Sequence, residues 1–316
     1  MSIYLCILKQ ENMENNNNTS TILFANSYGT SDVLQFQDFK FDQLAQDTAR
    51  IRVKAAGINP IDARRMTGEF KHGGLPQTFG TEFAGEIIEI ANNPYGFKVG
   101  DAVLGSGAAF THATVIDVPI GNLVRRPDNI TWEVAGSIAG VAQTAMTILD
   151  EIGDIKSLLI HGASGGVGSI LVQLAAERGI EVVGTASATN LDYLNSLGAK
   201  AVQYGDGLQA RLQEVHPTAF DASIDMAGND QATEVSLALV KPNGIIGSIA
   251  GKPSSSKRVQ PFWVKRNPKN LQFVVDGIAA GKFNWAIDST YPFEKAADAY
   301  AKILEGHNKG KLVLTF

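Results

Sequence analysis

The 316-residue chain is long enough for two domains of ordinary size, and its 44% hydrophobic content can fill a large core. With 27 basic and 32 acidic residues it carries a net charge of −5 and no long basic run, which excludes the electrostatic footprint of a nucleic-acid binder. A single cysteine, Cys6, excludes an internal disulfide framework and a cysteine-rich zinc module and fits a reducing cytosol, and no apolar run approaches the roughly 20 residues that span a bilayer.

The chain starts with "MSIYLCIL", which is apolar but short, with neither a basic flank nor a small-residue cleavage site, so a signal peptide is not expected. The polar, low-complexity "ENMENNNNTS" that follows predicts a disordered extension over residues 1–18, with Met13 as the natural start and residues 1–12 without function. From Thr19 to about Val118 the segments "STILFA", "ARIRVKAAG", "EFAGEIIEI", "DAVLGSG" and "FTHATVI" predict short strands, because branched residues alternate with Gly, Pro and Asn turns. From Thr131 to about Gly281 the pattern changes. Continuous apolar runs ("SLLIHG", "IEVVGT", "FDASIDM", "GIIGSIA") alternate with helical stretches ("SILVQLAAERG", "NLDYLNSLG", "QATEVSLALV"), which predicts βαβ units and a doubly wound parallel sheet. "RVQPFWVKR", Arg258 to Arg266, reads either as an edge strand able to pair across a two-fold axis or as an inner strand of that sheet. The end of the chain predicts a strand, an amphipathic helix and a final strand.

The densest signal is "LLIHGASGGVGSILVQLAAERGIEVVGTAS", Leu158 to Ser187. A strand, the loop Ala163-Ser164-Gly165-Gly166-Val167-Gly168 and a helix follow one another, which is the context a dinucleotide fingerprint requires. Gly165 lets the backbone approach a pyrophosphate, Gly168 lets the helix pack close on the strand, and the helix N-terminus offers free N–H groups and the positive end of its dipole. Ala163 occupies the place of the first fingerprint glycine, where a compatible backbone suffices. An NAD-type fold sets Asp or Glu about 20 residues past the glycines, where it binds the ribose 2′-hydroxyl and repels a 2′-phosphate. No acid occurs from Gly184 to Leu191, so NADPH is the expected cofactor, with hydroxyls available from Ser187 and Thr189. The preference is expected to be about tenfold, since that loop also holds no Lys or Arg.

Seven segments in order, "AAGINPIDARRMTGEF", "PQTFGTEFAGEI", "VGDAVLG", "AQTAMTIL", "HGASGGVGSILVQLA", "LGAKAVQYGDG" and "HNKGKLVL", resemble the zinc-free branch of the medium-chain dehydrogenase/reductases, the quinone oxidoreductases related to zeta-crystallin. The resemblance covers nearly all the chain after Thr19. It implies an α/β protein in which a GroES-like catalytic domain (19–123 and 284–316) encloses a Rossmann NADP-binding domain (124–283), with the active site in the cleft. Zinc-dependent relatives hold a catalytic metal where this chain has Asn59 and Thr81, neither a good zinc ligand. The five histidines, His72, His112, His161, His216 and His307, show no metal spacing and read as core or surface residues. No metal is therefore expected. Without a Lewis acid, alcohol oxidation is difficult, whereas an electron-poor quinone or enone takes hydride directly when held in place.

The resemblance makes Asn59 a polar residue of the site, against an Asn-Pro turn as the alternative. It sets Phe70 where the family often has Tyr, able to stack on a flat ring but not to give a proton. Arg64 and Arg65 are expected at the surface. By the same resemblance Thr144 lies near the nicotinamide, Tyr204 reaches the adenosine ribose or its phosphate, and Lys309-Gly310 cross back toward the cofactor. Ala227-Gly228 and Ile249-Ala250 follow strands at the carboxyl edge of the sheet, where open α/β folds bind ligands. The expected protein is a cytoplasmic, zinc-independent NADPH:quinone or enone reductase, a homodimer acting on a small molecule, with no nucleic-acid or membrane partner. The alternatives are an enoyl-thioester reductase of the same architecture and a non-catalytic NADPH-binding structural protein.

Overall fold

The computed structural model describes residues 18–71, 73–252, 254 and 256–316. Apart from Asn18, the extension expected over residues 1–18 lies outside the described residues, as does His72. The chain divides into two units: 18–139 with Ser289–Gly306 and Leu312–Phe316, and Gly140–Asp288 with His307–Lys311.

The first unit begins with β1 (Thr19–Ala25), β2 (Gln35–Lys40), β3 (Thr48–Ile58), α1 (Pro60–Thr67), β4 (Gln77–Thr78), β5 (Glu82–Ile90), β6 (Ala102–Ser106), β7 (Val115–Pro119), β8 (Leu123–Arg125) and α2 (Trp132–Gly136). The second holds α3 (Ala139–Ile152), β9 (Ser157–His161), α4 (Gly166–Glu177), β10 (Glu181–Ala186), α5 (Leu191–Ser196), β11 (Lys200–Gln203), α6 (Leu208–Val215), β12 (Phe220–Asp225), α7 (Asp230–Leu239), β13 (Val240–Ser248), β14 (Val259–Pro261) and α8 (Pro268–Ala279). The chain ends with β15 (Ile287–Pro292), α9 (Ala296–Glu305) and β16 (Lys311–Thr315).

In the first unit β1 is flanked by β2 and β4, and a larger sheet runs β15-β16-β3-β5-β6-β8 with β7 beside β3. The inward residues Ile51, Val53, Phe83, Ile87, Val103, Ile116 and Val118 form one core, and Leu23, Ile58, Met66, Phe79, Tyr300, Leu312 and Leu314 form a second around α1 and α9. Arg50 on β3 breaks the apolar pattern yet is only 1% exposed. Its guanidinium donates to both Asp117 oxygens at 2.8 and 3.0 Å, to Glu89 at 3.1 Å and to the Asp42 carbonyl at 3.0 Å, and lies over the Phe41 ring. A buried cation is tolerated only with such complete pairing.

The second unit is a six-stranded parallel sheet ordered β11-β10-β9-β12-β13-β14. Counted from β9, this is the 3-2-1-4-5-6 order of a doubly wound dinucleotide fold, whose order reverses between β9 and β12. Every residue of β9 is buried, as a central parallel strand demands. "RVQPFWVKR" is not one long strand: β14 takes three of its residues and forms the sheet edge, with Trp263 60% exposed just beyond.

The units meet the chain at other points than the expected 123/124 and 283/284. Residues 132–136 belong with the first unit because α2 packs directly on β3; a Cβ at Gly136 would come within 2.6 Å of the Ala55 carbonyl oxygen. Near the end, Asn284 N–H donates to Gln173, Gly310 N–H to the Ser164 carbonyl and Lys311 N–H to the Ala286 carbonyl. Those bonds tie 284–288 and 307–311 to the nucleotide-type unit. Among the described residues no helix is long and apolar enough to cross a membrane.

Candidate active site

In the second unit the chain turns at the end of β9. Gly162 has φ +74°, a left-handed value that favours glycine, while Ala163 does not. The turn glycine therefore stands one place before the position where the fingerprint first seemed to lack it. Ala163 is fully buried under α4, and a Cβ at Gly168 would meet its backbone at 2.6 Å, so only glycine lets helix and strand approach so closely. Gly165 caps α4, and a Cβ there would meet only the Gly162 carbonyl oxygen, at 3.6 Å. Open space thus lies against the unpaired first-turn N–H groups of Gly166, Val167 and Gly168, a cradle suited to an anion and one that a side chain at Gly165 would fill. This fits a dinucleotide pyrophosphate.

Other candidates surround the same sheet edge. Asn190 is buried and its amide reaches the Ser164 hydroxyl at 3.4 Å. The Ser187 and Thr189 hydroxyls bond each other at 3.0 Å just past β10. Tyr204 N–H donates to the Ala186 carbonyl, which sets its ring beside them. Its hydroxyl is 2.9 Å from Nδ1 of His307. At the end of β12 the Asp225 carboxylate accepts the N–H groups of both Ala227 and Gly228, and at β13 Ile249 N–H donates to the Asp225 carbonyl and Ala250 N–H to the Ser248 hydroxyl. These four amides are engaged within the protein, leaving carbonyls and side chains for a ligand. The Thr144 hydroxyl on α3 donates to the Gly140 carbonyl at 2.7 Å and keeps its acceptor capacity. His161, the last residue of β9, is 1% exposed with Nε2 unpartnered; burial pushes its pKa down to about 4 and keeps it neutral.

In the first unit Asn59 is the N-cap of α1, followed by Pro60. The buried Asp62 carboxylate three residues on accepts the N–H of Asn59 at 2.9 Å and of Gly80 at 3.2 Å. One carboxylate thus clamps the ends of two segments and brings Asn59 against Thr81 and Glu82. The Asn59 amide nitrogen donates to the Thr81 hydroxyl at 3.1 Å and to Glu82 at 2.9 Å. Glu82 is fully buried, and a Cβ at Gly57 would strike its carboxylate at 2.5 Å. Asn59 thus stands at the Asn-Pro start of a helix, with its amide turned to the buried Glu82.

The carbonyl of Gly57 accepts from His112 Nε2 at 3.1 Å, so His112 Nδ1 accepts from Tyr300, whose hydroxyl lies at 2.8 Å. Burial raises the Tyr300 pKa well above its ordinary value and keeps it a donor. The end of β3 is thereby held in place. Phe70 is half-buried, its N–H bonded to the Arg64 carbonyl, and Arg64 lies 3.7 Å from Glu69. Against the surface expectation, Arg65 has its Nε buried without a partner. Glu82, Asp62, Gly162 and His307 were not picked out by the sequence reading, although the spacing in "NPID" is that of a capping pair.

Among the described residues no group of three or more His, Cys, Asp or Glu side chains is disposed to hold a metal. An amide donor faces Glu82 at the site, and an amide nitrogen offers a cation no lone pair.

A β-rich unit of this topology joined to a 3-2-1-4-5-6 parallel sheet with a glycine turn at its switch point defines the medium-chain dehydrogenase/reductase class. Residues 45–148 match the family model described as an alcohol dehydrogenase GroES-like domain, and residues 197–314 match that described as a zinc-binding dehydrogenase. The chain is 29% identical over 295 residues to a chloroplast envelope quinone oxidoreductase homolog of Arabidopsis thaliana, covering 84% of this chain and 88% of that one. It is 28% identical over 310 residues to the NADPH-dependent alkenal/one oxidoreductase of the same plant, covering 91% and 77%. Its fold superposes on the Escherichia coli quinone oxidoreductase solved with NADPH with a TM-score of 0.84, at 24% identity, over 94% of this chain and all of that one. These matches, which together run from residue 45 to 314, support the zinc-independent quinone oxidoreductase family of the medium-chain dehydrogenase/reductases as the one this chain is similar to.

Proposed function

We propose that the protein is an NADPH-dependent, zinc-independent reductase of quinones or α,β-unsaturated carbonyls. The observation that carries this reading is the Asn59–Glu82 pair: an amide donor faces a buried carboxylate where zinc-dependent relatives use metal ligands. A site without a Lewis acid favours acceptors that are already electron-poor. The names of the two plant relatives support the same acceptor classes, and one of them names NADPH.

When bound, NADPH supplies the hydride. The N–H groups of Gly166, Val167 and Gly168 bind its pyrophosphate at the opening left by Gly165, flanked by Ala163 and Ser164. Ser187 and Tyr204 take the adenosine end, with Lys309-Gly310 crossing beside them. Thr144, Ala227, Gly228, Ile249 and Ala250 orient the nicotinamide end. Asn59, held by Asp62 and Glu82, presents a fixed polar group to the acceptor, and Phe70 offers a flat apolar face. The protein acts in the cytoplasm as a homodimer, paired through the exposed edge strand β14 with Trp263 and Val264 covered by the second copy. The free edge and its exposed aromatic residue support this.

An acceptor screen following loss of NADPH absorbance over simple quinones, enones and enoyl thioesters tests the reading. Turnover is expected with quinones or enones. Turnover confined to enoyl thioesters, or NADPH binding without turnover on any acceptor, overturns it.

A further inference from the structure

Asn59 follows β3 and Glu82 opens β5, so their amide–carboxylate bond is only as fixed as the spacing between those two segments. Asp62 ties the segments through the N–H groups of Asn59 and Gly80. A second residue ties them further back along both. His112, in the loop before β7, is fully buried. Its backbone N–H donates to the Phe79 carbonyl at 3.1 Å, and its ring Nε2 lies 3.1 Å from the Gly57 carbonyl oxygen. Gly57 is two residues before Asn59, and Phe79 is three before Glu82. One residue thus holds both arms of the Asn59–Glu82 pair.

Little slack surrounds it. A Cβ at Gly80 would meet His112 N and Cδ2 at 2.6 Å, and a Cβ at Gly57 would meet the Glu82 carboxylate at 2.5 Å. At such separations a shift of the His112 ring or of the Gly57 carbonyl is passed on to Glu82 rather than absorbed. The bond to Gly57 also depends on which ring nitrogen carries the proton. A carbonyl only accepts, so Nε2 must donate, and in neutral imidazole Nδ1 is then an acceptor. Tyr300 on α9 meets that acceptor: its hydroxyl lies 2.8 Å from Nδ1, with the two rings edge to face. Burial, and then the nearby Asp62, keep the Tyr300 hydroxyl protonated against the opposing influence of Arg65. Donation from Tyr300 to Nδ1 therefore selects the Nε2–H form, the one able to bond Gly57.

We propose that His112, held in that form by Tyr300, is a positioning residue of the reductase: it sets the Asn59 amide and the Glu82 carboxylate at the separation that presents Asn59 to the acceptor. The inference rests on the quinone or enone reductase reading above. His112 acts through Gly57 and Phe79, and Tyr300 acts through His112.

The test is steady-state reduction of a simple quinone and a simple enone by full-length His112→Phe, His112→Gln and Tyr300→Phe. In each, kcat is expressed per NADPH-binding site, counted by calorimetric titration. Phe keeps a flat ring in the core but gives Gly57 no donor. Gln offers an amide N–H to Gly57 and a carbonyl to Tyr300. Tyr300→Phe deletes one oxygen. A misplacement of about 1 Å costs about a hundredfold in rate, so His112→Phe should lose about that much in kcat. Acceptor KM and NADPH affinity should each hold within about threefold, since the loss falls on orientation rather than on binding. Tyr300→Phe should lose about tenfold in kcat, and His112→Gln should recover most of the loss. A purely structural role predicts lower melting temperatures with kcat per site unchanged, and that result overturns the proposal. So does a His112→Gln variant no faster than His112→Phe. Where His112→Phe does not fold, Tyr300→Phe decides by the same measure. An unmodified chain that reduces neither acceptor overturns the function itself and this role with it, which the unmodified protein alone reveals.

Discussion

The glycines of the nucleotide turn show how a single Cβ separates binding from folding. Gly165→Val adds atoms to open space at an ordinary φ of −74°, so the variant should fold and lose NADPH binding. Calorimetric titration beside a thermal melt checks this; unchanged affinity in a folded variant would mean that the turn is not the cofactor site. Gly168→Ala drives a methyl group into the Ala163 backbone at 2.6 Å and should cost about 1–3 kcal/mol of stability, seen as a lower melting temperature. At the other candidate centre, Asn59→Ala removes a donor from the buried Glu82 carboxylate and should destabilise the chain by about 1–3 kcal/mol while lowering kcat. Asn59→Asp should be worse, because it faces one carboxylate with another at hydrogen-bond distance. Equal melting temperatures for Asn59→Ala and the unmodified chain would sink this account of the pair.

Strand β9 carries a pH dependence in its last residue. His161 titrates near 4 in the folded chain and near its ordinary 6.5 when unfolded. Between those values the unfolded chain binds the extra proton, so this residue's contribution is complete above about pH 6.5 and is lost as the pH falls toward 4, by up to about 3 kcal/mol. Urea denaturation across that range should show the loss, and His161→Gln should flatten the slope; an unchanged slope would refute it. The parallel sheet was legible in the sequence because buried parallel strands are unbroken apolar runs and the glycine turn marks the first crossover. β14 was legible only in part: three residues pair, and the remainder of "RVQPFWVKR" lies past the sheet edge, a distinction set by neighbouring strands rather than by local composition. Asn59 could be singled out because the resemblance assigned it a position, whereas Glu82 could not, since burial of an acid depends on Gly57 and on an amide more than 20 residues away. His307 and Tyr204 lie 103 residues apart, and no local pattern announces such a pairing.

For the molecule as a whole, the donor set predicts that the purified protein holds no stoichiometric zinc and that chelators leave turnover unchanged. Elemental analysis giving about one zinc per chain, lost together with activity on dialysis against a chelator, would contradict the family assignment of this site. Neither unit is a continuous stretch of sequence, because the segment His307–Lys311 belongs to the nucleotide-type unit while Leu312–Phe316 belongs to the other. A gene fragment spanning 140–288 would therefore yield a parallel sheet whose Ser164 carbonyl lacks the Gly310 N–H, and a fragment ending at Ala139 would lack the strand that pairs with Ala55–Ile58. Expression as separate halves should give two poorly folding products, and a stop codon at Gly306 should damage both units at once. Residues 307–316 thus complete two folding units from a stretch remote in sequence from the body of each, so that neither unit can finish folding on its own contiguous segment.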